Sequence, residues 1–203
     1  TPLAGLRMQA DLAQRSDSSE EDLKKSLKQI GRASVQATHT VNQLLSLARA
    51  EGGGTHVPQQ SCDMVLLASE VIQDCLPRAM DKGLDLGYEG VDAGTAGASV
   101  QGNPTLLKEM VRNLVENAIH YTPNTPEHPG VVTVRVLVDP YSKTLVMQVE
   151  DNGLGIPLAE RDLVFQPFYR ALGTNVDGSG LGLPIVKEIA QQHGATVTVD
   201  AAQ

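Results

Sequence analysis

The spacing of apolar residues changes at a run of three glycines, residues 52–54. Upstream, apolar and small residues recur in alternating steps of four and three, the seam of a long helix that packs against another helix. The seam residues are Leu23, Leu27, Ile30, Ser34, Ala37, Val41, Leu44 and Ala48. Downstream of Pro58, patterns typical of helices and of strands alternate. We therefore predict a helical domain over residues 1–54 and a second domain over residues 55–203.

The helical domain is predicted to be a hairpin of two helices. Ser18-Ser-Glu-Glu21 has the form of a capping box and starts the second helix. The first helix has the same spacing at Leu3, Leu6, Ala10 and Ala13. Because two helices bury only a narrow stripe, we expect a homodimer through residues 1–51, with a four-helix bundle. On this pattern alone, a coiled-coil spacer without chemistry is the alternative.

The second domain combines helix and strand patterns. We predict helices over residues 65–80, 104–120 and 181–193, the second with Asn103 as N-cap and Pro104 in its first turn. Strands are predicted over residues 84–88, 98–101, 131–138, 144–150 and 195–199. The predicted fold class is α+β: a helical hairpin followed by an α/β sandwich, with helices on one face of a mixed sheet.

Composition narrows the class of protein. The net charge of -8 argues against a nucleic-acid partner, which needs a clustered positive surface. Cys62 and Cys75 have neither CxxC spacing nor a nearby histidine pair, so we expect no disulfide framework and no zinc site. No apolar run approaches the ~20 residues that span a bilayer. We expect a soluble domain in a reducing compartment.

Two asparagines on the helix over 104–120 are candidate ligands for a metal ion and phosphate. Asn113 and Asn117 are four residues apart and so share a helix face. An amide oxygen suits Mg²⁺, which keeps waters and phosphate oxygens as its other ligands, so Asn117 is the candidate Mg²⁺ ligand. A solvated helix face is the alternative for this pair taken alone.

Two glycine-rich stretches follow. Asp151 ends a strand and precedes Asn-Gly-Leu-Gly155, so its carboxylate can accept the adenine amino hydrogen while Gly153 and Gly155 let a planar ligand approach. Gly178-Ser-Gly-Leu-Gly-Leu183 opens a helix, whose N-terminal N–H groups suit phosphate. Taken singly, an ordinary turn explains the first stretch equally well. In this order, the three motifs predict an ATP-binding chain.

A long connection, residues 154–179, is predicted to be a mobile lid over ATP. It carries the only two phenylalanines, Phe165 and Phe168, which we expect to pin the lid to the core. Arg170 is expected to reach the terminal phosphate.

Together these motifs resemble those of the sensor histidine kinases of two-component signalling. Asn113-Leu-Val-Glu-Asn-Ala118 with Tyr121-Thr122 is similar to the N box, and Asp151-Asn-Gly-Leu-Gly-Ile156 to the G1 box. Residues 165–170 resemble the F box, and residues 178–183 the G2 box. Thr1-Pro2-Leu3 resembles the end of the phosphoacceptor box, usually His-Glu-Xaa-Arg-Thr-Pro-Leu.

The resemblance implies transfer of the γ-phosphoryl group of Mg-ATP to a histidine and then to an aspartate in the receiver domain of a response regulator. The acceptor histidine would stand four residues before Thr1, with an acidic general base after it. Residues 1–203 alone are therefore not expected to autophosphorylate. Thr1 is assigned a role in dephosphorylating the regulator. The implied nucleotide site comprises Asn113, Asn117, His120, Tyr121, Asp151, Gly153, Gly155, Ile156, Gly178, Gly180, Leu181, Gly182 and Leu183.

The sequence departs from the family pattern at two further places. His120 stands where a lysine or arginine is usual, which replaces a fixed charge near the phosphates by a titrating one. The closing Gly-Thr-Xaa-Phe strand is missing after Gln203, so the sheet is expected to end short. The resemblance also implies that the whole protein is a bacterial inner-membrane receptor, anchored upstream, of which this chain is a cytoplasmic portion.

Two alternatives stay open. One is another ATPase of the same superfamily, similar to the ATP domains of DNA gyrase B, mismatch-repair proteins or heat-shock chaperones. The other is a dimeric ATP-sensing scaffold or pseudokinase that binds nucleotide without phosphotransfer.

Overall fold

The computed structural model describes residues 59–142, 144–170 and 179–202, together with residues 21, 23, 24, 27, 28, 30 and 31 upstream. The chain divides into two compact units, Thr1–Ser46 and Leu47–Gln203. The domain boundary expected at residues 54 and 55 lies outside the described residues and stays a prediction.

The described residues of the first unit are all helical, as the seam predicts. Two seam residues, Leu23 and Leu27, are 38% and 56% exposed. The rest of the hairpin, including Thr1, lies outside the described residues.

Within the described residues of the second unit there are three α-helices. They are α1 (Met64–Asp81), α2 (Pro104–Tyr121) and α3 (Gly182–Gln192), within one or two residues of the sequence predictions at each end. Asn103 caps α2 as predicted, since its Oδ1 accepts from the backbone N–H groups of Thr105 and Leu106 at 3.0 and 3.3 Å. Asp63 caps α1 in the same way, through Val65 and Leu66 at 2.8 and 3.3 Å.

Two sheets accompany the helices. The larger sheet has the order β2-β4-β5, with β2 (Asp85–Gly90) parallel to β4 (Val131–Val138) and β4 antiparallel to β5 (Leu145–Asp151). The mixed sheet was predicted, as was the antiparallel pair of strands over residues 131–138 and 144–150, joined at residues 139–142. The smaller sheet pairs β1 (Gln60–Asp63) with β3 (Ser99–Gly102) in antiparallel fashion.

The hydrophobic core lies between the helices and the larger sheet. Val132, Val134 and Val136 alternate along β4 and are fully buried, against residues of α1 and α2 such as Val71 and Val111. Both cysteines are free and buried, and burial raises the pKa of the Cys75 thiol to about 11. A second cluster joins α3 to α2 through Leu181, Ile185 and Ile189, which pack on Leu106 and Met110.

Two sequence expectations differ from the structure. The predicted strand over residues 195–199 is not formed, although Val197 and Val199 are half-buried and Thr196 and Thr198 exposed. Alternation of apolar and polar residues indicates which side chains face the core. A strand also requires a neighbouring strand with which its backbone forms hydrogen bonds. Within the described ranges, β5 pairs only with β4. Strand β1 was not predicted, because Gln-Ser-Cys-Asp carries no β-branched or aromatic residue.

None of the described helices combines the length and the low polarity that a bilayer crossing needs.

Candidate nucleotide site

The end of α2 meets the start of α3 at one glycine. A methyl group on Gly182 would lie 2.9 Å from Nδ2 and 3.2 Å from Oδ1 of Asn117. No larger residue fits there unless the amide moves, so the glycine lets the N box and the G2 box come together. The amide of Asn117 therefore lies directly over the first turn of α3.

The G1 turn closes against the C-terminal end of α2. Oδ1 of Asp151 accepts a hydrogen bond from the Gly153 N–H at 2.9 Å, as in an Asx turn. A methyl group on Gly153 would lie 2.7 Å from that oxygen and 3.1 Å from the Tyr121 carbonyl oxygen. Oδ2 of Asp151 accepts no hydrogen bond from the residues that the structure describes. One carboxylate oxygen shapes the turn, and the other is available to a ligand.

Asn152 fastens this turn to the start of β4. Its Oδ1 accepts from the Val131 N–H, and its Nδ2 donates to the Pro129 carbonyl, both at 2.8 Å. Gly155 follows with φ +68°, a left-handed conformation that favours glycine. Ile156 beyond it is half-buried, and its carbonyl accepts from Nε of Arg161 at 3.3 Å.

Other predicted site residues sit deeper in the fold. Asn113 is only 4% exposed, and its Nδ2 donates to the carbonyl and the carboxylate of Glu109 at 2.9 and 3.2 Å. Leu181 is fully buried in the cluster with Ile185, so only its backbone is placed to face a ligand. Leu183 is half-buried.

The connection after the G1 turn contacts the G2 glycines through its backbone. The Phe168 N–H donates to the Gly180 carbonyl at 2.9 Å, and a methyl group on Gly180 would lie 2.8 Å from the Phe168 Cα. The prediction that Phe168 pins the lid by burial was wrong, because its side chain is 64% exposed. Val164 is buried there instead. Phe168 has φ +66°, a strained conformation for an aromatic residue.

Further along this connection, Arg170 is exposed at the end of the described segment, and Gly178 lies outside the described residues.

Comparison with known proteins identifies the family of the chain. Residues 102–203 match the family described as histidine kinase-, DNA gyrase B-, and HSP90-like ATPase, and residues 1–53 match the His Kinase A (phospho-acceptor) domain. Sensor protein kinase PmrB of Pseudomonas aeruginosa is 34% identical over 81% of this chain and 32% of its own. Sensor protein QseC of Escherichia coli O157:H7 is 32% identical over 100% of this chain and 42% of its own.

The chain belongs to the sensor histidine kinase family.

The chain spans about a third to two fifths of the length of these relatives. Histidine kinase ThkA, solved in complex with response regulator protein TrrA, has the same fold, with a TM-score of 0.70 and 21% identity. That likeness covers 96% of this chain and 52% of ThkA. The α+β fold class, with a helical segment before an ATP-binding domain, is confirmed for this histidine kinase.

The donor set at this site fits ATP and Mg²⁺. The side chain of Asp151 lies beside the space that a methyl group on Gly153 would fill. The amide of Asn117 lies beside the corresponding space at Gly182. Among the described residues, no group of three or more His, Cys, Asp or Glu side chains is arranged to hold a metal. A metal bound through one amide oxygen, phosphate oxygens and water requires no such group.

Sequence reasoning missed the side chain that holds the end of the N-box helix in this kinase. Nζ of Lys82 donates to the carbonyl oxygens of Ile119, His120 and Thr122 at 2.7, 3.0 and 3.3 Å. These carbonyls lie at the C-terminal end of α2, where a cation stabilises the helix dipole. Desolvation, and then the charge of Arg78, lower the pKa of Lys82. Lys82 follows α1, and a lysine in that place is read as a signal for the end of α1. The sequence therefore does not indicate that Lys82 contacts α2.

Contacts among the last residues of α2 and its C-cap also stabilise the C-terminal end of this helix. Thr122 is fully buried, and its Oγ1 donates to the Ala118 carbonyl at 2.7 Å. The rings of His120 and Tyr121 meet edge to face with centroids 5.0 Å apart. His120 directly precedes Tyr121, whose carbonyl oxygen faces Gly153 in the G1 turn.

Proposed function

We propose that the second unit binds Mg-ATP at the N, G1 and G2 boxes and delivers its γ-phosphoryl group to a histidine on the helical hairpin. From there the group passes to an aspartate in the receiver domain of a response regulator. The observation that carries the proposal is the contact of the Asn117 amide with Gly182, which brings a metal-ligand side chain to a helix N-terminus.

Each part of the site has a role suited to its chemistry. Asp151 presents Oδ2 to the adenine amino group, and Gly153 and Gly155 let the base approach the backbone. Asn117 would hold Mg²⁺, and the ion would supply neutralisation of the phosphate charge. The first turn of α3 is capped by no side chain among the described residues, so its N–H groups are available to phosphate oxygens. Arg170 is assigned to the terminal phosphate.

The remaining members of the predicted set act mainly by shape. Gly180 keeps the G2 loop close to the lid, and Leu181 anchors it. Gly178, Leu183 and Ile156 are assigned to the nucleotide site by their places in the G1 and G2 boxes. Asn113, His120 and Tyr121 complete the face of α2, with Asn113 held by Glu109. Because phosphoryl transfer depends on positioning and charge neutralisation, a site of this kind needs no covalent catalyst.

The partners are a second copy of the chain and a response regulator. Leu23 and Leu27 lie on the heptad seam and are exposed on one chain, which favours a four-helix homodimer through residues 1–51. The ThkA structure contains a response regulator, TrrA. We extend that partner class to this chain, together with a role for Thr1 in hydrolysing the regulator's aspartyl phosphate. The relatives are named sensor proteins, which supports a cytoplasmic position below a membrane anchor.

Radiolabel transfer tests the proposal. In a protein with a His-Glu-Xaa-Arg segment directly before Thr1, γ-labelled ATP is expected to produce acid-labile, base-stable phosphohistidine. Asn117→Ala and Asp151→Asn should each reduce the label at least about a hundredfold, since each removes a group that positions the phosphates or the base.

Two matched variants serve as controls. Gln191→Ala removes an exposed amide far along α3, and Asp92→Asn neutralises an exposed loop carboxylate. Both should retain labelling. If the Asn117 and Asp151 variants label as well as the controls do, the site assignment is wrong.

A further inference from the structure

The side chain of His193 joins the C-terminal end of α3 to the N-terminal end of α2. Nδ1 of His193 lies 2.7 Å from the Ile189 carbonyl oxygen, and Nε2 lies 3.1 Å from the backbone nitrogen of Asn103. A carbonyl only accepts and a backbone N–H only donates, so Nδ1 carries the proton and Nε2 accepts. The ring therefore links the C-cap of α3 to the N-cap of α2.

In a capping box, the N–H of the N-cap residue finds its acceptor three residues later, in the side chain of a glutamate or glutamine. In α2 that place is taken by Leu106, which has no acceptor in its side chain. His193 supplies the acceptor from another helix instead. Gly102 makes room for the ring, because a methyl group there would lie 2.8 Å from Nε2 and 2.9 Å from Cδ1 of Leu107.

These contacts fix the direction of α3 along α2. Gly182 at the start of α3 lies against Asn117 near the end of α2, and His193 at the end of α3 lies against Asn103 at the start of α2. The two helices are therefore antiparallel. Leu181, Ile185 and Ile189 pack on Leu106 and Met110 along the same side of α3, and apolar packing of this kind is not directional.

We propose that His193 is a positioning residue that sets the register of α3 against α2, and thereby the contact between Gly182 and the Asn117 amide. This inference rests on the proposed function, because it concerns the phosphate side of the same site. A slip of α3 by one residue moves Gly182 by about 1.5 Å along the helix axis. Such a displacement is large for groups that hold phosphate and metal together.

The test compares the phosphate-dependent and base-dependent parts of binding. Dissociation constants for Mg-AMPPNP and for adenosine are measured by titration followed in ¹H–¹⁵N spectra. For His193→Phe, which keeps a ring but removes both nitrogens, the Kd of Mg-AMPPNP should rise at least about tenfold, and that of adenosine less than about twofold. His193→Gln, whose amide oxygen can accept from the Asn103 N–H, should restore most of the affinity.

Two further variants separate register from folding. Gly102→Ala keeps the histidine but displaces its ring, and should produce the same selective loss for Mg-AMPPNP. In an Asn117→Ala background, His193→Phe should add less than about twofold, because both changes act on one contact.

The contradicting outcomes are distinct. Equal loss of adenosine and Mg-AMPPNP binding would give His193 a general structural role and overturn the inference. The inference would also be overturned if the wild-type chain binds Mg-AMPPNP through Asn117 but His193→Phe leaves the Kd of Mg-AMPPNP unchanged. A wild-type chain that binds no Mg-AMPPNP would overturn the proposed function, and this inference with it.

Discussion

At the scale of single residues, the site depends on glycines that leave room for neighbouring side chains. The sequence predicts that Gly153 lets a planar ligand approach and that the stretch containing Gly182 offers N–H groups to phosphate. The structure adds that each also gives room to a protein group, Asp151 at one and Asn117 at the other. Such contacts join residues far apart in the chain, so spacing in one sequence does not reveal them. His193 was similarly predicted only as the end of a helix.

Gly182→Ala tests this close approach. The added methyl group would lie 2.9 Å from Nδ2 of Asn117, so the amide must move away from the first turn of α3. We expect the Kd of Mg-AMPPNP to rise at least about tenfold, equivalent to about 1.4 kcal/mol. Calorimetric titration measures the change.

Gly87→Ala is the matched control, because Gly87 lies in β2 with no heavy atom within 4 Å of the added carbon. If both variants bind as the wild type does, the Asn117 contact does not limit binding.

At the scale of elements, the helices were predictable because caps and apolar periods are local signals. Asn103 marks the start of α2 in the sequence and in the structure. The lid was less predictable, since Phe168 is held through its backbone and its side chain is exposed. The cap of α1 was also missed, although the N–H groups it accepts from are local, and Asp63 has a second contact that involves a distant loop. Its Oδ2 accepts from the Gly94 N–H at 2.7 Å.

Asp63→Ala should destabilise the second unit by about 1 kcal/mol at neutral pH, because it removes the N-cap of α1. The Gly94 N–H, together with the N–H groups of Leu66 and Val65, lowers the pKa of Asp63 below 3.8, outweighing partial desolvation. A depressed pKa means that the ionised cap stabilises the fold fully above pH 3.8 and loses this effect as pH falls through the folded-state pKa. The difference between variant and wild type should therefore shrink in acid.

Urea unfolding at neutral pH and below pH 3.8 measures both effects. Asp63→Asn keeps an acceptor and should lose less stability than Asp63→Ala. Asp92→Ala, in an exposed loop, should change stability by less than about 0.5 kcal/mol. Equal effects of Asp63→Ala and Asp92→Ala would rule out the cap.

At the scale of the whole molecule, an open cleft competes with the proposed site. It has a volume of ≈ 480 Å³ and is lined by β1 and the N-terminal halves of α1 and α2. The cations that line it already have carboxylate partners: Lys108 lies 2.9 Å from Glu70, and Arg112 lies 2.5 Å from Asp74. Phosphate would have to displace these carboxylates, and none of the three motifs lines this cleft. The order of the motifs therefore identifies the nucleotide site better than cavity volume does.

Chemical-shift mapping with Mg-AMPPNP tests the central claim, that nucleotide binds where the N, G1 and G2 boxes meet. In ¹H–¹⁵N spectra of the isotopically labelled chain, the side-chain amide of Asn117 and the backbone amides of Gly153 and Gly182 should shift the most. The backbone amides of Cys62, Glu70 and Lys108 in the open cleft should stay nearly unchanged. Shifts concentrated in that cleft, with Asn117, Gly153 and Gly182 unmoved, would contradict the account.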